Sequence, residues 1–202
     1  DYMDGELSVA SQTNPLNHFN DWYEIVRNSD PQPDAVALGT ASTDGVPSVR
    51  LVLVKAWSEI GFEFFTSHQS RKGQELLVNK NAALTWHWKG FGAQVRIRGG
   101  VSIIDSKAVE AYWNTRSYGS KISALASAQS VSISHRQALV EKVDQLKRVY
   151  DESSDIPVPD NWGGFCVHPS NYEFWLHDPE RLHHRIEYAN VDGKWVSMIL
   201  QP

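Results

Sequence analysis

Two periods alternate along this chain, one of short apolar runs bounded by turn residues and one of apolar residues at helical spacing. After an irregular polar stretch over residues 1–14, the segment from Pro15 to Val26 spaces Leu16, Phe19, Trp22, Tyr23 and Val26 for one helix face, behind a proline suited to a first turn. The pattern then becomes that of strands. Residues 35–41, 48–55 and 62–66 read as strands, with Asp44-Gly45 as a hairpin turn between the first two. A helix over 70–79 follows, then strand candidates at 82–88 and 93–104 joined through Gly90-Phe91-Gly92. From Asp105 helical spacing returns at 106–116, 120–127 and about 134–150, before Pro157 and Pro159 stop it. Four short strands at 165–167, 172–175, 185–188 and 194–200 would close the sheet. Antiparallel strands with inserted helices predict an α+β fold, a mainly antiparallel barrel with peripheral helices, as a single domain over residues 1–202.

Composition narrows the class. A chain of 202 residues with 41% hydrophobic content suits one sizeable core, and its formal charge of -5 gives no overall attraction to nucleic acid or an anionic membrane. No run approaches the length of a membrane span and the first thirty residues lack a signal-peptide pattern, so a cytoplasmic protein is expected. The single cysteine, Cys166, lies in a strand-like run and reads as packing. Eight tryptophans imply large buried faces, a subunit interface, or stacking surfaces for a planar ligand.

Against that acidic background, local cations stand out. Ser70-Arg71-Lys72-Gly73 follows the run from Phe62 to Thr66 and places paired cations at a helix start, where unpaired N–H groups and the helix dipole favour an anion such as phosphate. Arg50 and Lys55 end an apolar strand and, at odd separation, point to opposite faces if that strand carries no bulge. Gln94, Arg96 and Arg98 share one face of a strand, and a glutamine there can hydrogen-bond a heterocycle. Tyr112, Arg116 and Ser120 recur every four residues, and on a continuous helix they would stack a phenol, a guanidinium and a hydroxyl into a phosphate grip; Gly119 interrupts that helix. Gln129-Ser130 adds further donors, and Arg181-Leu182-His183-His184-Arg185 concentrates charge behind Glu173-Phe174-Trp175. A zinc site at His177, His183 and His184 lacks cysteine partners and helical His-x-x-x-His spacing, so no metal is expected. No Walker loop, G-x-G-x-x-G or G-x-S-x-G occurs, and the chemistry is expected from a cofactor.

Taken in order, R-x4-K at Arg50 to Lys55, Ser70-Arg71-Lys72, Gln94-Val95-Arg96, Tyr112 with Arg116 and Ser120, Ala126 to Ser130, Trp162-Gly163-Gly164, Glu173-Phe174-Trp175 and Arg181-Leu182-His183 resemble the pyridoxine (pyridoxamine) 5'-phosphate oxidases, from about Tyr2 to Pro202. The resemblance implies an FMN-binding split β-barrel and a homodimer with flavin at the subunit interface. By position, Arg50, Arg71, Lys72 and Ser130 match residues around the FMN phosphate, and Gln94, Gln129, Trp175 and Arg185 match further flavin contacts. Phe65, Thr66 and the backbone of Leu51, Val52, Leu53 and Val54 line the same site by resemblance. Lys55 belongs to both the flavin and the substrate sets; Tyr112, Arg116 and Ser120 match the grip on the substrate phosphate. Arg181 and His183 match residues that cover the pyridine ring and are expected to align the reacting carbon. The implied reaction moves a hydride from C4' of pyridoxamine or pyridoxine phosphate to flavin N5, with oxygen reoxidising the flavin and releasing hydrogen peroxide.

Departures from the family pattern gather on the expected substrate side: Leu176-His177 in place of Gln-Gly, His184 in place of aspartate, and Ser117-Tyr118 in place of Pro-Arg. At the N-terminus, Asp1 precedes Tyr2, where the family often has a basic residue before a tyrosine that closes over substrate. Rival expectations are a flavin oxidase of the phenazine biosynthesis type, a non-catalytic flavin or pyridoxal-phosphate binding protein, and a heme-binding split barrel using His87 or His183. The intact Ser-Arg-Lys and Gln-Val-Arg motifs speak against the first and the flavin-phosphate set against the last.

Overall fold

A computed structural model describes residues 7–202, so the expected closure by Tyr2 lies outside the described residues. Helix α1 (Pro15–Val26) begins where Asn14 accepts the Leu16 N–H at 2.9 Å and Pro15 takes the first turn. Strands β1 (Ala35–Ala41), β2 (Pro47–Trp57) and β3 (Phe62–Ser67) precede α2 (Arg71–Val78), followed by β4 (Asn81–Trp88) and β5 (Ala93–Ile103). Helices α3 (Ser106–Thr115), α4 (Tyr118–Ala126) and α5 (Arg136–Val149) lead into β6 (Trp162–Leu176), β7 (His184–Val191) and β8 (Lys194–Ile199).

The sheet runs β3-β2-β1-β4-β5-β6-β7-β8, and β3 also pairs with β6. That extra pairing closes six antiparallel strands into a barrel and leaves β7 and β8 as an extension. Alternation fills the interior: Val36 and Leu38, Leu84 and Trp86, Val95 and Ile97 all point inward and are at most 1% exposed. From α1, Phe19 meets Phe62 and Trp86, each at 5.0 Å between ring centroids, and joins the same core. A second cluster, with Ile104, Val109, Trp113, Ile122, Trp162 and Cys166, packs α3 and α4 onto the outside of β6. Burial pushes the Cys166 thiol up to about 11, with Glu63 adding to it, which suits a packing residue.

One sequence expectation needs correction. The short strands expected at 165–167 and 172–175 are one strand, β6, covered on both faces over its first half, so its burial does not alternate. Pro169 does not break it because the β5–β6 register shifts between Arg98 and Gly99, and a Cβ on Gly99 would lie 1.8 Å from the His168 carbonyl. As the separate helical segments expected at 106–116 and 120–127 imply, Tyr112, Arg116 and Ser120 do not share one helix. The break falls earlier than Gly119: Arg116 is extended (φ -73°, ψ 145°), and the Ser117 hydroxyl starts α4 by accepting the Ser120 N–H at 3.3 Å. Among the described residues no helix is long and apolar enough to cross a membrane.

Candidate active site

The start of α2 is built as the sequence suggests. Ser70 caps the helix, its hydroxyl accepting the Gly73 N–H at 3.3 Å, and turns Lys72 inward beside β3. Lys72 is only 8% exposed, yet every acceptor around its ammonium is neutral: Gln129 Oε1 at 2.9 Å, Thr66 Oγ1 at 3.1 Å and Ser70 Oγ at 3.3 Å. Burial, then the nearby charge of Arg50, hold its pKa below the ordinary lysine value. An enclosed cation without a carboxylate is costly, and an anion arriving beside it recovers that cost. Arg71, one residue earlier, is exposed and has no side-chain partner among the described residues.

Arg50 sits close by but in different company. It donates to Thr40 Oγ1 and to the Leu38 carbonyl at 3.2 Å, and its NH2 lies 3.3 Å from Glu75 Oε2. Glu75 also accepts hydrogen bonds from the hydroxyls of Thr40 and of Ser48, the latter at 2.7 Å. Burial pushes the Glu75 carboxyl up, but these donors and the guanidinium charge outweigh it and keep the pKa below the ordinary value.

Between β3 and α4 lies a cavity of about 440 Å³ lined by Thr66, Arg116, Ser120, Ser123, Ser127 and Gln129, among others. Arg116 is the cation of this cavity and, like Lys72, has no carboxylate partner among the described residues. Its guanidinium lies over the rings of Trp162 at 4.8 Å and Trp113 at 5.5 Å, and its NH2 donates to the Ser120 carbonyl at 3.0 Å. Its Nε is buried without a hydrogen-bond partner, and burial holds its pKa below the ordinary value, with Tyr112 opposing. Phe65 supplies an aromatic wall, stacked on Tyr112 at 3.9 Å and on Trp162 at 5.6 Å.

Gln94, Trp175 and Arg185 form a separate group across β5, β6 and β7, since Gln94 pairs with Trp175 and Trp175 with Arg185 in the sheet register. Here the cations are neutralised from within. Glu173, 4% exposed, pairs with Arg96 through one oxygen and with Arg185 at 2.8 Å through the other, while Arg185 also donates to the Gln201 carbonyl at 2.7 Å. The loop before β7 holds Arg181 at φ 66°, a left-handed conformation uncommon outside glycine, and places the His183 ring 4.6 Å from Trp175. Along β6 from Gly163, opposite Thr66, to Trp175 runs about 40 Å of extended strand, so within one chain the two groups are well apart.

The remaining expected residues are scattered. Lys55 falls where the β2–β3 register shifts, between Val54 and Ala56, and is held by Asp34 at 2.6 Å. Leu51 and Leu53 face outward, Val52 is partly buried and Val54 is in the core. Ser130 is exposed, with φ 71°. From the sequence, Ser123 and Glu75 were passed over and Ser127 stood only as a member of the motif from Ala126 to Ser130; the two serines follow Ser120 at helical intervals of three and seven, a signal that could have found them. Among the described residues no group of three His, Cys, Asp or Glu is placed to hold a metal ion.

Comparison with known proteins gives this geometry a context. A family model described as pyridoxamine 5'-phosphate oxidase matches residues 25–150, and a second, the pyridoxine 5'-phosphate oxidase C-terminal dimerisation region, matches 162–202. The pyridoxine/pyridoxamine 5'-phosphate oxidase of Hyphomonas neptunium is 40% identical, covering 98% of this chain and 92% of its own. That of Salinibacter ruber is 38% identical, covering 100% and 96%. Among solved structures, PhzG of Burkholderia lata 383, in complex with tetrahydrophenazine-1-carboxylic acid, superposes with a TM-score of 0.91 at 27% identity, covering 98% of this chain and 100% of its own. A pyridoxamine 5'-phosphate oxidase-related, FMN-binding protein of Nostoc punctiforme shares the fold, with a TM-score of 0.75 at 17% identity over 95% of this chain and 100% of its own.

Proposed function

The chain belongs to the pyridoxamine 5'-phosphate oxidase family, and on that premise we propose that it oxidises pyridoxamine or pyridoxine 5'-phosphate to pyridoxal 5'-phosphate with FMN as cofactor and oxygen as electron acceptor. One observation carries the reading: two partly enclosed cations, Lys72 and Arg116, flank a hydroxyl-rich cavity and neither has a carboxylate partner among the described residues. A flavin mononucleotide and a phosphorylated substrate bring two phosphates to such a pair.

The residues suit FMN. Lys72, Arg71, Arg50 and Ser130 would hold its phosphate, with Thr66 and Gln129 already turned toward the Lys72 ammonium. Phe65 and the backbone of residues 51–54 would line the cofactor, and Gln94, Trp175 and Arg185 would contact its ring system. When bound, FMN supplies the two-electron chemistry, accepting a hydride from the substrate C4' and returning the electrons to oxygen as hydrogen peroxide. Arg116, Ser120 and Tyr112 grip the substrate phosphate, and Lys55 joins them by leaving Asp34. Arg181 and His183 cover the pyridine ring and orient the reacting carbon, a positioning role worth several orders of magnitude in rate. Protons pass to solvent or to the substrate's own groups, and no side chain is assigned as an obligatory base.

The reading includes a homodimer. The match of residues 162–202 to a dimerisation region supports it, as do the exposed apolar side chains Val49 and Leu51, each 73% exposed, and Ile199, 87% exposed. A second copy would bring its Gln94–Trp175–Arg185 group to the first copy's Lys72 and so assemble one flavin site from two chains. A single domain over 1–202 and a cytoplasmic location belong to the same reading.

The superposition on PhzG favours a second reading, a flavin oxidase acting on a larger, unphosphorylated ring system. Anaerobic addition of pyridoxamine 5'-phosphate to the FMN-loaded protein separates the two. Bleaching of the flavin absorption band is expected; a flavin that stays oxidised with this substrate but bleaches with a reduced tricyclic acid gives the second reading, and failure to retain FMN removes both.

A further inference from the structure

Behind Trp162 lies a larger cavity, about 710 Å³, between α3 and the loop 155–160, and none of the residues assigned above to cofactor or substrate lines it. Its apolar walls are Ile104, Val109, Trp113, Ile156, Val158 and Trp162. Its charged lining has one sign. Glu110, Asp155 and Asp160 contribute carboxylates, none in an ion pair among the described residues, and no lysine or arginine lines the cavity. His68, the one further titratable group in the lining, has its Nε2 buried without a hydrogen-bond partner and in the space a Cβ on Gly163 would need, 2.7 Å away. The volume lies within the roughly 300–1,000 Å³ of small-molecule sites. Apolar walls with a carboxylate rim favour an organic cation, and the tryptophan rings add cation–π attraction. An anion would meet like charge.

We propose that this cavity is an effector site for a small organic cation, an amine or quaternary ammonium on an apolar body, and that its occupancy is felt by Arg116. The connection is a shared wall. Trp162 lines this cavity and also the Arg116 cavity. Trp113 packs edge-on against Trp162 at 4.7 Å, and both rings lie under the Arg116 guanidinium. Trp113 Nε1 also donates to the Ile156 carbonyl at 2.8 Å, tying the loop that walls the cavity to the same indole. A ligand that wedges between α3 and this loop moves the surface on which Arg116 rests. The cavity and its ligand class stand independently of the oxidase reading; only the effect on Arg116 rests on it.

The test uses FMN-loaded protein and three probes of one shape, benzyltrimethylammonium, benzyl alcohol and phenylacetate, followed by saturation-transfer NMR. Saturable binding of the cation is expected, at least 10-fold tighter than either control and at least 5-fold weaker in the exposed double variant Asp155→Asn/Asp160→Asn. Equal binding of the three probes, or cation binding unchanged in that variant, overturns the site. Saturating benzyltrimethylammonium is further expected to change KM for pyridoxamine 5'-phosphate at least 3-fold with kcat little altered; an unchanged KM with binding demonstrated overturns the link to Arg116. Should the protein not turn over that substrate, the dissociation constant of inorganic phosphate in the Arg116 cavity is read instead, so the two readings fail separately.

Discussion

Two groups of arginine and lysine serve this protein in opposite electrostatic states. Around Thr66, the Lys72 and Arg116 cations are partly enclosed and meet only neutral oxygens and rings. Around Trp175, Arg185 and Arg96 share the buried carboxylate of Glu173. On the proposed reading the first group keeps its charge for a ligand, and the second uses it to fix its own geometry. On that reading the presence of arginine is no guide to phosphate; the missing carboxylate is. Arg50 stands between the two, close enough to lower the Lys72 pKa and already paired with Glu75.

The largest test of this contrast is Lys72→Met, which keeps the packing and removes the charge. It should weaken FMN binding about 100-fold, the loss of about 3 kcal/mol from charge-assisted bonds, by flavin fluorescence titration. A change under about 3-fold would erase the distinction between the groups. Arg116→Met should raise KM for pyridoxamine 5'-phosphate about 30-fold, a loss of about 2 kcal/mol, and leave FMN retention nearly intact. Equal flavin loss in both variants would merge the two cations into one site. At the neutralised group, Glu173→Gln should lower stability by about 1–2 kcal/mol, seen as a melting temperature about 3–6 °C lower; the figure is reduced because Arg96 is 49% exposed and well screened. The smallest effect is in pH. A bound phosphate raises the Lys72 pKa above its depressed free value, so binding takes up a proton. Affinity for FMN should be full below the free-state pKa and decline as pH rises through it, beginning at lower pH than for an ordinary lysine, and Lys72→Met should flatten that profile.

What was legible in the sequence follows from how local the signals are. Helix α2 and its capped, cationic start depend on neighbours in sequence, and Ser70-Arg71-Lys72 was read correctly as a helix start. The strand alternation of Gln94, Arg96 and Arg98 was equally local and holds in β5. Long-range facts were not visible. That Lys55 would find Asp34, or that Glu75 would reach back to Arg50, depends on register between distant strands. The continuous β6 was missed because its first half is covered on both faces, which removes alternation, and because Pro169 reads as a breaker until Gly99 is seen opposite it. The helix break at Arg116 was sought at Gly119, although Ser117, a good capping residue, marks the start of α4.

The extension of β6 by β7 and β8 has a consequence for solubility. Barrel closure pairs β6 with β3 all along Phe62–Ser67, but beyond Val167 β6 outruns its barrel neighbour and is flanked by β7 instead. Without β7 and β8, the backbone of Asn171–Leu176 would present unpaired N–H and C=O groups, a template for any stray strand. With them the open flank moves to β8, where Val196, Met198 and Ile199 are 47%, 44% and 87% exposed. Chains shortened after Leu176 are accordingly expected to aggregate rather than persist as flavin-free monomers, so the C-terminal strands guard the fold against self-templating.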